Sequence, residues 1–355
     1  MPRITLFPTG QHFASHPGET VLSAALRAGL NLPHSCKAGH CAACRARILS
    51  GEVTYSGPGL PTGITAAEAA AGDALLCRAC ATTDLVVATR EVRPAPDVEL
   101  RSLPCRIDGM ERLADDVMAV RLRLPAVEPL EFRAGQYLDF ILSGGRRRSF
   151  SIASAPADGS IVEVHVRRAS GNGFTGRLFD TMGVGTLLRI EGPLGQFWLR
   201  DDSSRPSLMI GGGTGYAPLR AMLRQLLAVD DRRPVRLYRG ARTRGDLYED
   251  AWLRHVAAIR PAFEYTPVLS NPAADARWTG RTGVVHEAVL ADLGDRLAGF
   301  DVYASGPPAM IDTVQHEFTA RGLPREQLFF DSFDYAPDTL EAMRQRSAAA
   351  ADRAP

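Results

Sequence analysis

At 355 residues the chain is long enough for two or three domains, each with its own core. Its 45% apolar and 23% charged residues describe an ordinary globular protein and exclude a disordered or fibrous one. A net charge of +1 without a long Lys/Arg run argues against nucleic-acid binding, and no apolar run nears the roughly 20 residues of a membrane span.

The first twenty residues hold one early cation, Arg3, and no apolar signal core, so a cytoplasmic protein is expected. Residues 4–7 and 11–14 are short apolar-rich runs split by Pro8-Thr9-Gly10, a hairpin pattern. Thr20 then caps a helix with Val21, Leu22, Ala25 and Leu26 on one face and Gly29 as its stop. Next comes a loop with Cys36, Cys41 and Cys44 in C-x4-C-x2-C spacing, and Cys77 follows later. Plant-type ferredoxins hold a [2Fe–2S] cluster on four thiolates with that spacing. The small residues Ala38, Gly39, Ala42 and Ala43 let backbone N–H groups turn toward sulfur. Zinc is the competing reading, although only Cys41/Cys44 and Cys77/Cys80 form C-x2-C pairs. Disulfides would need an oxidising compartment. An extended run at 45–49, a Thr65/Glu68 capping box and a last strand at 84–89 complete a small β-grasp pattern.

The proline-rich stretch 93–97 reads as a stiff linker. From 103 to 199 short alternating segments at 117–124, 137–142, 149–153, 161–167 and 186–191 predict an antiparallel barrel. Arg148, Ser149, Phe150 and Ser151 follow a basic turn there. A flavin needs a cation for its phosphate, an aromatic face and a hydroxyl near its reactive nitrogen, which Arg148, Phe150 and Ser151 could supply. Strict alternation sets Ser151 on the face opposite Arg148 and Phe150, so a local twist or a backbone contact is required. His165, Val166 and Arg167 and then Gly173, Phe174 and Thr175 precede a helical run. A glycine turn opening a helix is an anion site, and a pyrophosphate there implies FAD.

Strands at 207–210, 235–238, 265–269, 302–305 and 328–330 alternate with helical patterns, the mark of a doubly wound parallel sheet. Gly211, Gly212, Gly213, Thr214 and Gly215 follow the first strand, and Pro218 suits the first helical turn after them. The run is not the G-x-G-x-x-G fingerprint, and no acid closes the second strand. Ser305, Gly306, Pro307, Pro308 and Met310 form a second rim between strand and helix. The expected architecture is multidomain α+β: a ferredoxin domain at 1–93, a linker at 94–102, a flavin barrel at 103–200, an α/β nucleotide domain at 201–335 and a tail at 336–355.

In this order the motifs resemble the ferredoxin-linked branch of the ferredoxin–NADP reductase family, over residues 1–335. Its members serve bacterial multicomponent oxygenases and a deoxysugar dehydrase system. The resemblance implies FAD in the barrel, on Arg148, Phe150 and Ser151, with His165, Arg167, Gly173 and Thr175 around its phosphates. It implies a nicotinamide nucleotide on the third domain and a shielding aromatic near the C-terminus, with Phe333 first and Phe330 second. Three positions depart from the family pattern: Phe150 for its usual Tyr, Ser305 for its Cys and Ala42 for its Gly. The reading is hydride transfer from nicotinamide to FAD beside Ser151, then single electrons through the cluster to an acceptor protein, a terminal oxygenase or hydroxylase. A dehydrase is the alternative client, and a scaffold or flavin sensor without turnover is the alternative of another class. Cys80 and Cys105 drop out as ligands by position. NADH is preferred over NADPH, although Arg239, Arg242 and Arg244 could hold a 2′-phosphate. Lys37, Arg45, Arg47 and Arg78 could form a basic docking rim, and a monomer is expected.

Overall fold

The computed structural model describes residues 1–333 except 31, 35, 36, 38, 40, 41, 56–58, 89–98, 128, 170–172 and 273–276. Residues 94–98 of the expected linker and the C-terminal tail lie outside the described residues, whereas the linker's last two residues, 101 and 102, already belong to strand Arg101–Ala114. The chain divides into two compact bodies, Met1–Leu100 with Leu194–Gln196, and Arg101–Pro193 with Phe197–Pro355.

The first body is a five-stranded mixed sheet in the order His12–Ala14, Arg3–Phe7, Leu85–Ala88, Arg45–Ser50, Asp73–Leu75. The hairpin joins its first two strands, and the closing strand runs parallel to Arg3–Phe7. Helix Val21–Arg27 begins where the Thr20 side chain accepts from the Ser23 N–H, and it ends at Ala28 before Gly29, whose φ is +76°. Such a cap is worth about 1 kcal/mol. Val21, Leu22, Ala24 and Ala25 pack with Ile4, Leu6, Leu32 and Val87, all at or below 2% exposure. The Thr65/Glu68 capping box is present and opens helix Ala66–Ala70. This is the β-grasp arrangement.

The second body opens with a six-stranded antiparallel sheet ordered Arg147–Ser151, Tyr137–Ile141, Leu187–Leu194, Arg101–Ala114, Val117–Arg123, Ile161–Arg167. A bridge between Ile152 and Val164 brings its two edges together into a barrel. Leu138, Phe140, Val120, Val164 and Ile190 fill the interior, with Phe174 and Leu178 from helix Phe174–Asp180. The sequence pattern misses the 14-residue strand Arg101–Ala114. Its register shifts twice, between Ile107 and Gly109 and between Arg112 and Ala114, and each bulge breaks the period-two alternation.

The nucleotide sheet is parallel, ordered Arg281–Thr282, Phe263–Leu269, Val235–Ala241, Ser207–Gly212, Asp301–Gly306, Leu328–Ser332. Every residue of Ser207–Gly212 is buried. Met209 joins the core under helices Tyr216–Ala228 and Asp250–Ile259, whereas Leu208 and Ile210 join the core under Val285–Leu293 and Pro308–Ala320. Helices therefore cover both faces. The strand sequence reverses direction between Ser207–Gly212 and Asp301–Gly306. Ligands of open α/β sheets bind at the carboxyl ends of strands at such a switch point.

Candidate functional site

Cys36 and Cys41 lie outside the described residues. Cys44 and Cys77 are buried at 4% and 6% exposure and are brought together by the sheet. Arg45 pairs with Leu75, and the Leu76 N–H donates to the Cys44 carbonyl over 3.1 Å. Tyr55 Oη accepts from the Leu75 N–H at 3.3 Å, and burial, aided by the two nearby thiols, raises the Tyr55 pKa. None of the four described cysteines is in a disulfide. Lys37 and Ala42 have left-handed φ of 51° and 56°. At residue 42 this conformation explains a preference for glycine, and here an alanine Cβ is accommodated at some cost. Gly39 is required twice over: its φ is +86°, and a Cβ would sit 2.6 Å from Arg78 Cγ. Two converging thiols, with two more contributed by the same short loop, are a soft donor set that fits a [2Fe–2S] cluster. Cys105 sits in the barrel core, where burial pushes its thiol up to about 12, and Cys80 Sγ lies 3.6 Å from the Gly18 carbonyl.

Two of the cations flanking this loop are engaged. Arg45 pairs with Glu68, and Arg47 pairs with Asp73 at 2.7 Å while donating to the Ala71 carbonyl.

In the barrel the strand alternation holds. The Phe150 ring packs against the interior, 5.6 Å from Phe140 and 6.0 Å from Phe174. Ser149 Oγ donates to Asp139 at 2.5 Å, and Ser151 Oγ donates to Asp331 at 3.3 Å, 180 residues along the chain. Arg148 donates to the Arg147 carbonyl. Val166 is buried in the barrel core, and Arg167 pairs with Asp116 at 2.5 Å while its guanidinium abuts Gly213. Thr175 Oγ1 accepts from the Ala169 N–H at 3.0 Å, and Gly173 caps the short helix without a side-chain bond. His165 is fully enclosed: Nδ1 meets Tyr248 Oη and Nε2 meets Glu163, each at 3.2 Å. Both ring nitrogens have protein partners, so only its backbone is left for a phosphate.

The glycine turn is built by close approach. A Cβ on Gly215 would lie 2.0 Å from the Ser305 carbonyl oxygen, one on Gly212 2.8 Å from Met310 Sδ, and one on Gly306 2.6 Å from Met310 Cε. Gly211 and Gly212 end the first strand, and Gly213, Thr214 and Gly215 form one helical turn before Tyr216–Ala228, with Pro218 inside the first turn. Pro307 and Pro308 open helix Pro308–Ala320. Ser305 is fully buried, and its Oγ has no hydrogen-bond partner among the described residues. The Phe333 N–H donates to the Gly306 carbonyl, and Asp331 stands opposite Ser305 in the sheet. Thus Ser151, the glycine turn, Ser305 and Asp331–Phe333 converge at the switch point. Asp331 escapes sequence reasoning, because its one signal is an acid ending the last strand.

Arg239 requires a correction. It is 1% exposed, its guanidinium lies 4.0 Å from the Tyr216 ring centre and 4.3 Å from that of Tyr248, and it donates to the Tyr248 carbonyl. It cannot hold a 2′-phosphate. Tyr248 likewise faces inward. A cleft of about 380 Å³ opens at the carboxyl ends of the neighbouring strands, lined by Thr243, Arg244, Gly245, Leu269, Asn271, Pro272 and Arg277.

Among the described residues no helix is long and apolar enough to cross a membrane. Residues 4–82 match the 2Fe-2S iron-sulfur cluster binding domain, 104–198 the oxidoreductase FAD-binding domain and 209–316 the oxidoreductase NAD-binding domain. The chain is 36% identical to the CDP-6-deoxy-L-threo-D-glycero-4-hexulose-3-dehydrase reductase of Yersinia pestis, over 93% of this chain and 98% of the relative. It is 33% identical to the reductase component of phenol 2-monooxygenase of Pseudomonas sp. strain CF600, over 94% and 95%. The crystal structure of the Amycolatopsis cytochrome P450 reductase GcoB superposes with a TM-score of 0.78 at 33% identity, covering 94% of this chain and 99% of that one. The cofactors are accordingly FAD, a [2Fe–2S] cluster and NAD(P)H. The chain belongs to the ferredoxin–NADP reductase family, as an NAD(P)H-dependent flavin and iron–sulfur oxidoreductase of the electron-transfer reductase type.

Proposed function

We propose that the protein passes electrons from NADH through FAD and the [2Fe–2S] cluster to the terminal oxygenase or hydroxylase of a multicomponent bacterial system. A flavin takes two electrons as a hydride and releases them singly, which is what a nicotinamide donor and a one-electron cluster demand of an intermediary. The observation that carries the reading is the convergence of Ser151, the Gly213–Gly215 turn, Ser305 and Asp331 at the switch point.

In this reading Arg148 neutralises flavin phosphate and the Phe150 cluster fixes the strand that presents Ser151. Asp331 accepts the Ser151 proton in a hydrogen bond and so orients Oγ at the reacting edge. Gly212, Gly213 and Gly215 let backbone N–H groups approach the nucleotide, with Arg167 beside them. Met310 packs on the two glycines that would otherwise leave a void, and Phe333 covers the flavin face. Ser305 leaves an unpartnered hydroxyl for the carboxamide of the nicotinamide. Cys36, Cys41, Cys44 and Cys77 hold the cluster.

NADH is favoured because Arg239 is spent on two tyrosine rings. Arg244 and Arg277, at the cleft, are the residues that would admit NADPH. Lys37, Arg45, Arg47 and Arg78 together would form a basic docking rim for an acidic partner, in which Arg45 and Arg47 are already held by Glu68 and Asp73. The dehydrase reading remains the second one, favoured by the 36% identity to the Yersinia reductase. Anaerobic titration with NADH, followed by EPR of the reduced cluster, tests the redox path: flavin bleaching and then a cluster signal are expected, and neither appears in a scaffold. Cytochrome c reduction with each nucleotide tests the donor. Reconstitution with an oxygenase or with a dehydrase decides between the clients.

A further inference from the structure

One side chain joins the segment proposed to hold the flavin to the helix proposed to hold the nucleotide. Arg220 lies on helix Tyr216–Ala228, one turn beyond the glycine run. Its Nη1 donates to the Ala153 carbonyl at 2.8 Å, and Ala153 is two residues past Ser151. The same nitrogen lies 3.0 Å from Glu163 Oε1 of the barrel, and Nε donates to Glu249 at 2.9 Å. Arg220 is 12% exposed, as is Glu163, and Glu249 is 19% exposed. The link is doubled by Tyr248 Oη on His165 Nδ1, with His165 Nε2 closing back onto Glu163. Glu249 has a left-handed backbone, φ +60°, which a glutamate adopts only when its surroundings fix it.

Few surface ion pairs position anything, because solvent weakens them and their side chains are mobile. This cluster is different. It is enclosed, hydrogen-bonded from several sides and anchored on backbone next to Ser151. Although burial opposes its charge, hydrogen bonding from His165 and the Arg220 guanidinium bring the Glu163 carboxyl down to about 2, so the pair is ionised at neutral pH. Burial lowers the His165 pKa, which keeps the imidazole neutral.

Resting on the reading of the site given above, we propose that Arg220 is a positioning residue for hydride transfer. With Tyr248 as its second tie, it fixes the glycine-turn helix against the flavin strand and so sets the distance and tilt between nicotinamide and flavin. Neither residue touches either cofactor in this scheme. The expected signature is a loss in the chemical step with little loss in nucleotide binding, because misplacement by about 1 Å can cost 10²-fold in rate.

The test uses the full holoprotein with its FAD and iron contents measured first. Arg220→Met, Arg220→Lys and the milder Tyr248→Phe are mixed anaerobically with NADH. For Arg220→Met, flavin reduction at saturating NADH should slow about 10- to 100-fold, with the apparent NADH Kd changing less than about 3-fold. Tyr248→Phe should slow it about 3- to 10-fold, and Arg220→Lys should recover part of the loss. The long-wavelength charge-transfer absorbance of the reduced flavin–NAD⁺ pair should fade in the same order. Without nucleotide, amide exchange should rise at 152–158 and 248–250, while transfer from photoreduced flavin to the cluster stays unchanged. Normal rates and a normal charge-transfer band in a folded, flavin-loaded Tyr248→Phe and Arg220→Met, even with a lowered Tm, would show a merely structural role and overturn the proposal. Failure of the wild type itself to bleach with NADH would instead sink the redox reading.

Discussion

The two bodies of this protein encode their chemistry in opposite ways. In the ferredoxin body the proposed chemistry rests on residue identity, since four thiols at set spacing are the proposed donor set and the β-grasp fold ties the chain beside Cys77 to Cys44. In the flavin–nucleotide body it rests on the absence of side chains and on contacts distant in sequence. Gly215 matters because a methyl group would strike Ser305, and Ser151 finds its carboxylate 180 residues away. The difference teaches that a cluster site is local and modular, whereas a hydride site is a property of how two layers meet.

The contrast breaks most sharply at a cysteine. Cys77→Ser is expected to remove the cluster and its EPR signal and to cut acceptor reduction more than about 100-fold, while NADH still bleaches the flavin at close to the wild-type rate. If flavin reduction collapsed as well, the ferredoxin body would not be modular. Gly215→Ala should act on the other body: overpacking against backbone costs roughly 1–3 kcal/mol or more, weakening nucleotide affinity at least about tenfold, with the cluster spectrum untouched. Equilibrium dialysis with NAD⁺ beside an iron assay separates these outcomes.

Acid should also tell the bodies apart. Glu163 falls from an ordinary value to about 2 in the fold, despite the opposing effect of burial, through its bond from His165 and the Arg220 charge. A depressed carboxyl stabilises the fold above its unfolded pKa, and that stability is lost as pH falls from about 4.5 toward 2. The contribution is on the order of 3 kcal/mol. The three tryptophans, Trp198, Trp252 and Trp278, all belong to the second body, so urea melts followed by their fluorescence report it selectively. Glu163→Gln should flatten the pH dependence across that window, and an unchanged slope would remove Glu163 from the account. The smallest effect is local. Thr65→Ala removes the capping box and should cost about 1 kcal/mol in the ferredoxin body alone, visible by hydrogen exchange at 66–72.

Sequence reasoning read the ferredoxin body closely because its signals are short-range. Thr20, Gly29 and the Thr65/Glu68 pair all act within one turn of where they sit. It recovered the classes of the other two domains from their periodicities and missed what depends on tertiary partners. The Arg101–Ala114 strand hid behind two bulges. Arg239 reads as a solvated cation, and its burial depends on Tyr216 and Tyr248 arriving from two other segments. Asp331 and Arg220 carry no motif. Their meaning lies in Ser151 and Ala153, at the end of a strand and just past it, made well before them.

That separation has a consequence in time. The flavin strand emerges 180 residues before Asp331, and at about 5–20 residues per second it waits roughly 10–40 s for its partner. In the proposed scheme the last described strand therefore arms the hydride site. A nascent chain that has already formed its barrel still lacks the carboxylate proposed to orient Ser151, so the proposed hydride site is complete only once Asp331 has been made.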